Sequence, residues 1–306
     1  MAHDPLHPNS LFEHVQDADY FHVPRMLSPH GDGHIAIPQP FQTEEPIFEL
    51  NTGVELIDNI VQPVHLTLTK FMVLEVVVAV IIAIVFIRLA GRMSSGDRPR
   101  GRLWNILEAF LLYIRDSVAR PAIGKHDADR FLPFLWTIFF FVLGCNLMGM
   151  LPWMGSPTGS LAVTGALALT TFLVVTGSGM AKLGAIGFWK AQVPHMDLPG
   201  VLAIFLIPMI FVIEVIGLLI KHFVLAIRLL ANVMAGHVVL TVILAFIAVS
   251  YYTVAGEFSP LWFGVMPASV FGATALSLLE LFVAFLQAYI FTFLSALFIG
   301  MAVHPH

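Results

Sequence analysis

The chain is poor in charge. Only 11% of its 306 residues are Asp, Glu, Lys or Arg, while 58% are hydrophobic and the mean hydropathy is +0.86. Soluble domains carry about 25% charged residues, so a water-facing surface cannot be assembled from this composition. Cysteine is almost missing as well: Cys145 alone excludes an internal disulfide and any cysteine-based metal site. The glycine-rich stretch GSGMAKLGAIG lacks the GxxxxGK order, followed by Ser or Thr, and the preceding strand of a phosphate-binding loop. No Ser-His-Asp arrangement or metal-ligand spacing is present, so the chain is not expected to catalyse a covalent reaction alone. No cofactor, metal or nucleic-acid partner is expected either. The start is not positively charged and leads into no apolar core, so no signal peptide is expected.

What the chain does have is apolar length. Its hydrophobic runs predict an all-α polytopic membrane protein, with membrane lipid as its main surroundings. The few charges are segregated. Residues 1–58 hold ten Asp/Glu, six His and one basic residue, Arg25, whereas residues 88–130 hold nine of the fifteen Lys/Arg. The pattern divides the chain into an acidic tail (1–60), solvated and partly irregular by composition, and a single membrane domain (61–306). Spans are predicted over 66–90, 131–151 and 161–180. Lys70 is placed to snorkel outward, with Glu75 one turn deeper as a partner. The basic cluster after residue 88 marks the inner side, so the tail lies outside. Between the first two spans, Leu103, Leu107, Phe110, Leu111, Ile114 and Val118 form an apolar stripe opposed by Asn105, Glu108, Arg115 and Asp116. That pattern predicts an amphipathic helix over 103–120, on the inner surface or against a partner helix.

Two further segments are too long for simple spans. Residues 200–249 hold no turn signal except Pro208, which kinks a helix without ending it. Residues 267–302 would extend about 54 Å as a helix, against a hydrocarbon core of about 30 Å. Hairpins or steep tilt would accommodate them; without a break near the middle of 209–249, steep tilt is expected. The connector 250–266 carries only Glu257. The topology is then five crossings, amino terminus outside and carboxyl terminus inside.

Inside the long segment, Glu214, Lys221 and Arg228 are spaced by sevens, close to two helical turns, so they line one face, which Asn232 extends. His237 faces elsewhere. On the last segment Glu280 and Gln287 share a face. Two plainer readings stand beside a functional one: Lys221 and His222 as a loop between ordinary spans, and Glu214 and Glu280 as structural ion-pair partners. Aligned intramembrane charges mark an ion path more often. Arg228 cannot deprotonate, so the pattern is a proton or cation path interrupted by a fixed positive charge. With no strong anion of its own nearby, the chain is expected to meet one on a partner.

The stretch RLLANVMAGH resembles the arginine signature of subunit a of F-type ATP synthases, R-L-F-G-N-x-x-A-G followed by Glu or His. The likeness extends through EVIGLLIKHFVLAIRLLAN, LLELFVAFLQAYIFTFL and NLMGMLPWM, covering about residues 60–302. The resemblance implies a proton-conducting stator beside a rotating ring of c subunits, with subunit b and the rest of the synthase as further partners. Two offset half-channels would feed and drain the ring's carboxylates. Arg228 would face those carboxylates, favour proton release and block a direct leak. Asn232, His237, Glu280 and Gln287 would line the entry path, with Gln287 packing near the arginine. Glu214 and Lys221 would line the exit path. A bacterial cell inner membrane is the expected location. The family's third span often opens P-T-A-D-x-N-x-T. Here PTGSLAVT puts Ser160 at the acid's position and Ala162 at the asparagine's, so the outer mouth lacks its usual carboxylate. Leu230 and Ala231 replace the common Phe-Gly of the arginine motif. Two rival readings fit less well: a secondary antiporter calls for an internal repeat that the sequence does not show, and an inert scaffold leaves Arg228, Glu214 and Glu280 without a purpose.

Overall fold

The computed structural model describes residues 17–22, 34–39, 67–94, 101–151, 154–193, 200–252 and 260–304. In the tail, β1 (Tyr20–His22) pairs antiparallel with β2 (His34–Ala36), Phe21 opposite Ile35. These parts of the tail form strands while staying largely exposed. They dock on the first membrane helix, α1 (Lys70–Ser94). The amide of Phe71 donates to Asp17 Oδ1 at 3.2 Å, and that of Lys70 to the Ala18 carbonyl at 2.8 Å. The Gln39 side chain brackets Leu68, donating to its carbonyl and accepting from its amide, both at 2.8 Å. The first N–H groups of a helix have no partner within it and lie at the positive end of its dipole, so a carboxylate from the tail suits this site.

An α-helix, α2 (Arg102–Tyr113), continues through a π-helical turn (Ile114–Ala119) into α3 (Arg120–Ile123). Its apolar stripe serves helix packing. Ile114 and Val118 are fully buried, Phe110 stacks on Phe285 with centroids 6.0 Å apart, and Trp136 Nε1 donates to the Leu111 carbonyl at 3.1 Å. Leu103, at the other end of the stripe, remains 61% exposed, so only the later turns find partners. On the polar face Asp116 accepts from Arg115 at 3.0 Å and Arg120 at 2.7 Å.

The bundle continues with α4 (Ala128–Gly149), a 3₁₀ turn (Pro157–Gly159), α5 (Leu161–Leu183) and the short α6 (Ala185–Ala191). Two long helices close it: α7 (Gly200–Tyr252, 53 residues) and α8 (Pro260–Val303, 44 residues). Among the described residues, five helices (α1, α4, α5, α7 and α8) are long and apolar enough to cross a membrane, so the chain is an all-α multi-pass membrane protein. Both long helices are unbroken. Pro208 and Pro267 lie inside them, each removing one backbone bond that the neighbouring turns survive. Lys221 and His222 therefore sit in mid-helix and not in a loop. At 1.5 Å per residue α7 is about 80 Å long and α8 about 66 Å, each at least twice the hydrocarbon thickness.

The core forms where α8 meets α4, α5 and α7, with Leu135, Val142, Leu225, Leu229, Phe291 and Ile299 buried. Close approach depends on glycine: a Cβ on Gly300 would collide with the Ala122 carbonyl, so α8 lies backbone to backbone against α3. At the same end Asp127, just before α4, accepts from Lys182 Nζ at 2.5 Å and from His304 Nε2 at 3.1 Å. The Lys182 hydrogen bond, with the charges of Lys182 and His304, holds the Asp127 carboxyl below the usual carboxylate range.

Candidate functional site

Arg228 lies midway along α7 and is half-buried. Its Nε and Nη2 atoms are buried and have no hydrogen-bond partner, and no described carboxylate forms an ion pair with it. Lys221, two turns earlier on the same face, is exposed, as are the flanking Ile220, Phe223 and Val224. Glu214 is half-buried on that face and forms no ion pair among the described residues.

On one side of Arg228, α7 and α8 enclose a small polar cavity of about 20 Å³, enough for one water. Asn232, His237, Glu280, Gln287 and Asn146 line it. Asn232 Nδ2 donates to Gln287 Oε1 at 2.8 Å, so Gln287 pairs with the asparagine and not with Arg228. The Gln287 amide nitrogen is buried and otherwise unpartnered. His237 Nε2 stands 3.9 Å from Glu280 Oε1, both side chains 18% exposed. That separation is too long for a direct hydrogen bond and short enough for a shared water. Gly236 makes this possible, because a Cβ there would come within 2.9 Å of Glu280 Oε1.

A second cavity, of about 260 Å³, lies on the other side of Arg228. Glu214 and Lys221 line it together with Gln192, Phe298 and His304. Along α7, Arg228 is about 6 Å from Asn232 and about 10 Å from Lys221. The residues singled out in the sequence thus fall into two groups, one on either side of the arginine. The structure brings Asn232, His237, Glu280 and Gln287 together, and separately Glu214 and Lys221.

Sequence reasoning missed the wall that α4 contributes and the 3₁₀ turn that backs it. Asn146 is buried and donates from Nδ2 to the Ala284 carbonyl at 3.4 Å. It accepts from Thr158 Oγ1 at 2.7 Å; Thr158 shares a 2.8 Å hydroxyl contact with Ser156, whose Oγ donates to the Cys145 carbonyl at 3.3 Å. Only the motif NLMGMLPWM, which begins with Asn146, hinted at this. Ser160 and Ala162, at the family's acid and amide positions, do not line the cavity. Lys70 and Glu75 also depart from expectation. They form no pair, Lys70 is fully buried instead of snorkelling, with Nζ over the Phe71 ring, and neither Lys70 Nζ nor Glu75 Oε1 has a hydrogen-bond partner. Five residues turn a helix by about 500°, which sends the two side chains to different faces. Glu257 lies outside the described residues.

Comparison with known proteins adds an independent line. The model of the family described as ATP synthase A chain matches residues 72–300. The chain is 42% identical over 244 residues to the ATP synthase subunit a of Myxococcus xanthus, covering 79% of this chain and 75% of that protein. It is 40% identical over 242 residues to the subunit a of Chloroherpeton thalassium, covering 78% and 67%. With the subunit a of Anaeromyxobacter dehalogenans (strain 2CP-1) it shares 42% over 212 residues, 68% of this chain and half of the other.

Proposed function

This chain belongs to the ATP synthase A chain family, a membrane-sector component and not the catalytic part, and from that premise we propose that it is the proton-translocating stator of the complex. The observation that carries this reading is Arg228: a permanent cation, its Nε and Nη2 unpartnered, standing between two separate polar cavities. A half-buried guanidinium whose Nε and Nη2 lack partners calls for an anion from outside the chain, and a membrane-embedded carboxylate on a rotating c-ring supplies one. The uncovered apolar side chains around Lys221 and Arg228 on α7 give the ring a surface to ride on.

In this mechanism protons enter from the outer side through the cavity of Asn232, His237, Glu280 and Gln287. Glu280 and His237 can each take up and hand on a proton through a shared water, while the Asn232 and Gln287 amides hold the polar wall in place. A protonated ring carboxylate travels round in the lipid and returns to Arg228. The guanidinium favours its ionised form and so drives the proton into the cavity of Glu214 and Lys221, which opens to the inner side. Because arginine does not give up its proton, it cannot relay one between the cavities, and flow is tied to rotation. The amino terminus lies outside and the carboxyl terminus in the cytoplasm, with subunit b completing the stator.

The test is Arg228→Ala in the complete synthase reconstituted into vesicles. The complex assembles, and proton-driven ATP synthesis is lost. Arg228→Lys also fails largely, since a desolvated ammonium can lose its proton. Normal coupled synthesis in Arg228→Ala vesicles would refute the role.

A further inference from the structure

We propose that Glu75, on α1, is the outer acid of the entry path and stands in for the carboxylate missing at Ser160. Its protons go on to the outer cavity by way of water held against the buried hydroxyls of Ser156 and Thr158. The proposal rests on the stator reading and adds to it a titratable residue that the arginine motif and its neighbours do not include.

The starting observation is an unexplained cost. Glu75 Oε1 is buried without a hydrogen-bond partner, and Lys70, the cation expected beside it, points elsewhere. A carboxyl kept unpaired in an apolar helix is expensive unless it works as a proton carrier. Its position fits that work. Phe71, Glu75 and Val78 share a face of α1 at i, i+4 and i+7, and both Phe71 and Val78 are buried. A Cβ on Gly144 would come within 2.7 Å of Val78 Cγ1, so this face abuts α4. Glu75 sits one turn outward of that contact. The Asp17 carboxylate and Cys145 lie within its electrostatic reach.

Cys145 begins the polar string. Its carbonyl accepts from Ser156, Ser156 meets Thr158, and Thr158 donates to Asn146, which lines the cavity of His237 and Glu280. The 3₁₀ turn that carries Thr158 packs against α1, α4, α5 and α7, which places the string at the junction between Glu75 and the cavity. The string ends at a backbone carbonyl and at the Asn146 amide, neither of which passes a proton on, so its hydroxyls serve as a polar wall: a proton taken up by Glu75 from outer water leaves it ionised again and moves inward on water held against them. The groups within electrostatic reach of Glu75 are Asp17 from the tail and Cys145 on α4, while Lys70 lies on another face of the same helix.

The experiment uses the intact synthase in vesicles and reads ATP-driven proton pumping. Glu75→Gln loses most of the flux with subunit a present in normal amount, and Glu75→Asp retains more. Adding Ser160→Asp to Glu75→Gln returns an acid to the family's position and recovers flux. Unchanged flux in Glu75→Gln beside a loss in Glu280→Gln overturns the proposal and leaves the entry path standing; unchanged flux in Glu280→Gln overturns both. Failure of the added Ser160→Asp to recover flux also counts against it. Should Glu75→Gln not assemble, Glu75→Cys in a Cys145→Ser background is treated with silver ion from the outer side. Inhibition supports the assignment and its absence refutes it.

Discussion

Glu280 Oε1 lies 2.9 Å from the point where a Cβ on Gly236 would stand. The carboxyl of α8 therefore rests against the bare backbone of α7, one residue before His237, and the absence of a side chain positions the titratable pair.

Gly236→Ala should move the Glu280 carboxyl and leave the helices in place, because the group displaced is the end of a flexible side chain. The expected outcome is normal assembly with a several-fold loss of proton pumping, and Gly236→Val should lose more. Pumping equal to the parent in both would show that the carboxyl's position is immaterial.

His237 and Glu280 face each other at 3.9 Å, and some family members carry Glu at the first position and His at the second. A path needs titratable groups within reach of shared water, whichever helix supplies which. Either single swap, His237→Glu or Glu280→His, should impair proton uptake in inverted vesicles, and the double swap should restore much of it. A double swap no better than the worse single one would separate the two residues functionally.

Gly300→Ala places a methyl group against the Ala122 carbonyl, a backbone atom that cannot rotate away. Forcing extra volume into a packed contact costs on the order of 1–3 kcal/mol, and more where the backbone must shift. The variant should show lowered thermal stability in detergent and reduced recovery of subunit a, with no change in the pH dependence of whatever complex assembles.

The Asp127 clamp should depend on pH in a defined direction. Its carboxyl is held below the ordinary range, first by the Lys182 hydrogen bond and then by the nearby charges. The contribution to stability is therefore present above the unfolded value of about 3.9, and is lost as pH falls through the lower folded value. Asp127→Asn should be less thermostable than the parent at neutral pH, with the gap closing in acid. A gap independent of pH would assign the effect to packing.

The membrane class, the five long apolar segments and the row of Glu214, Lys221 and Arg228 were all legible in the chain alone. Each depends on local quantities: transfer of side chains from water, and the fixed turn of 100° per residue. For the same reason the amphipathic pattern was visible near Leu107 and Ile114, and unbroken helix through Lys221 and His222 followed from the missing turn signals.

Tertiary structure decided what stands beside what. That Gln287 pairs with Asn232, that Glu280 settles on Gly236, and that Thr158 reaches Asn146 all depend on the register between helices distant in sequence. Register is set by where backbones can approach, as Gly300 does at Ala122, and no periodicity within one helix encodes it. Lys70 and Glu75 show the converse: neighbours in sequence, they are parted by the helical turn and by the tail that docks on α1. Local pattern fixes which way a side chain points on its own helix; only packing decides what it meets there.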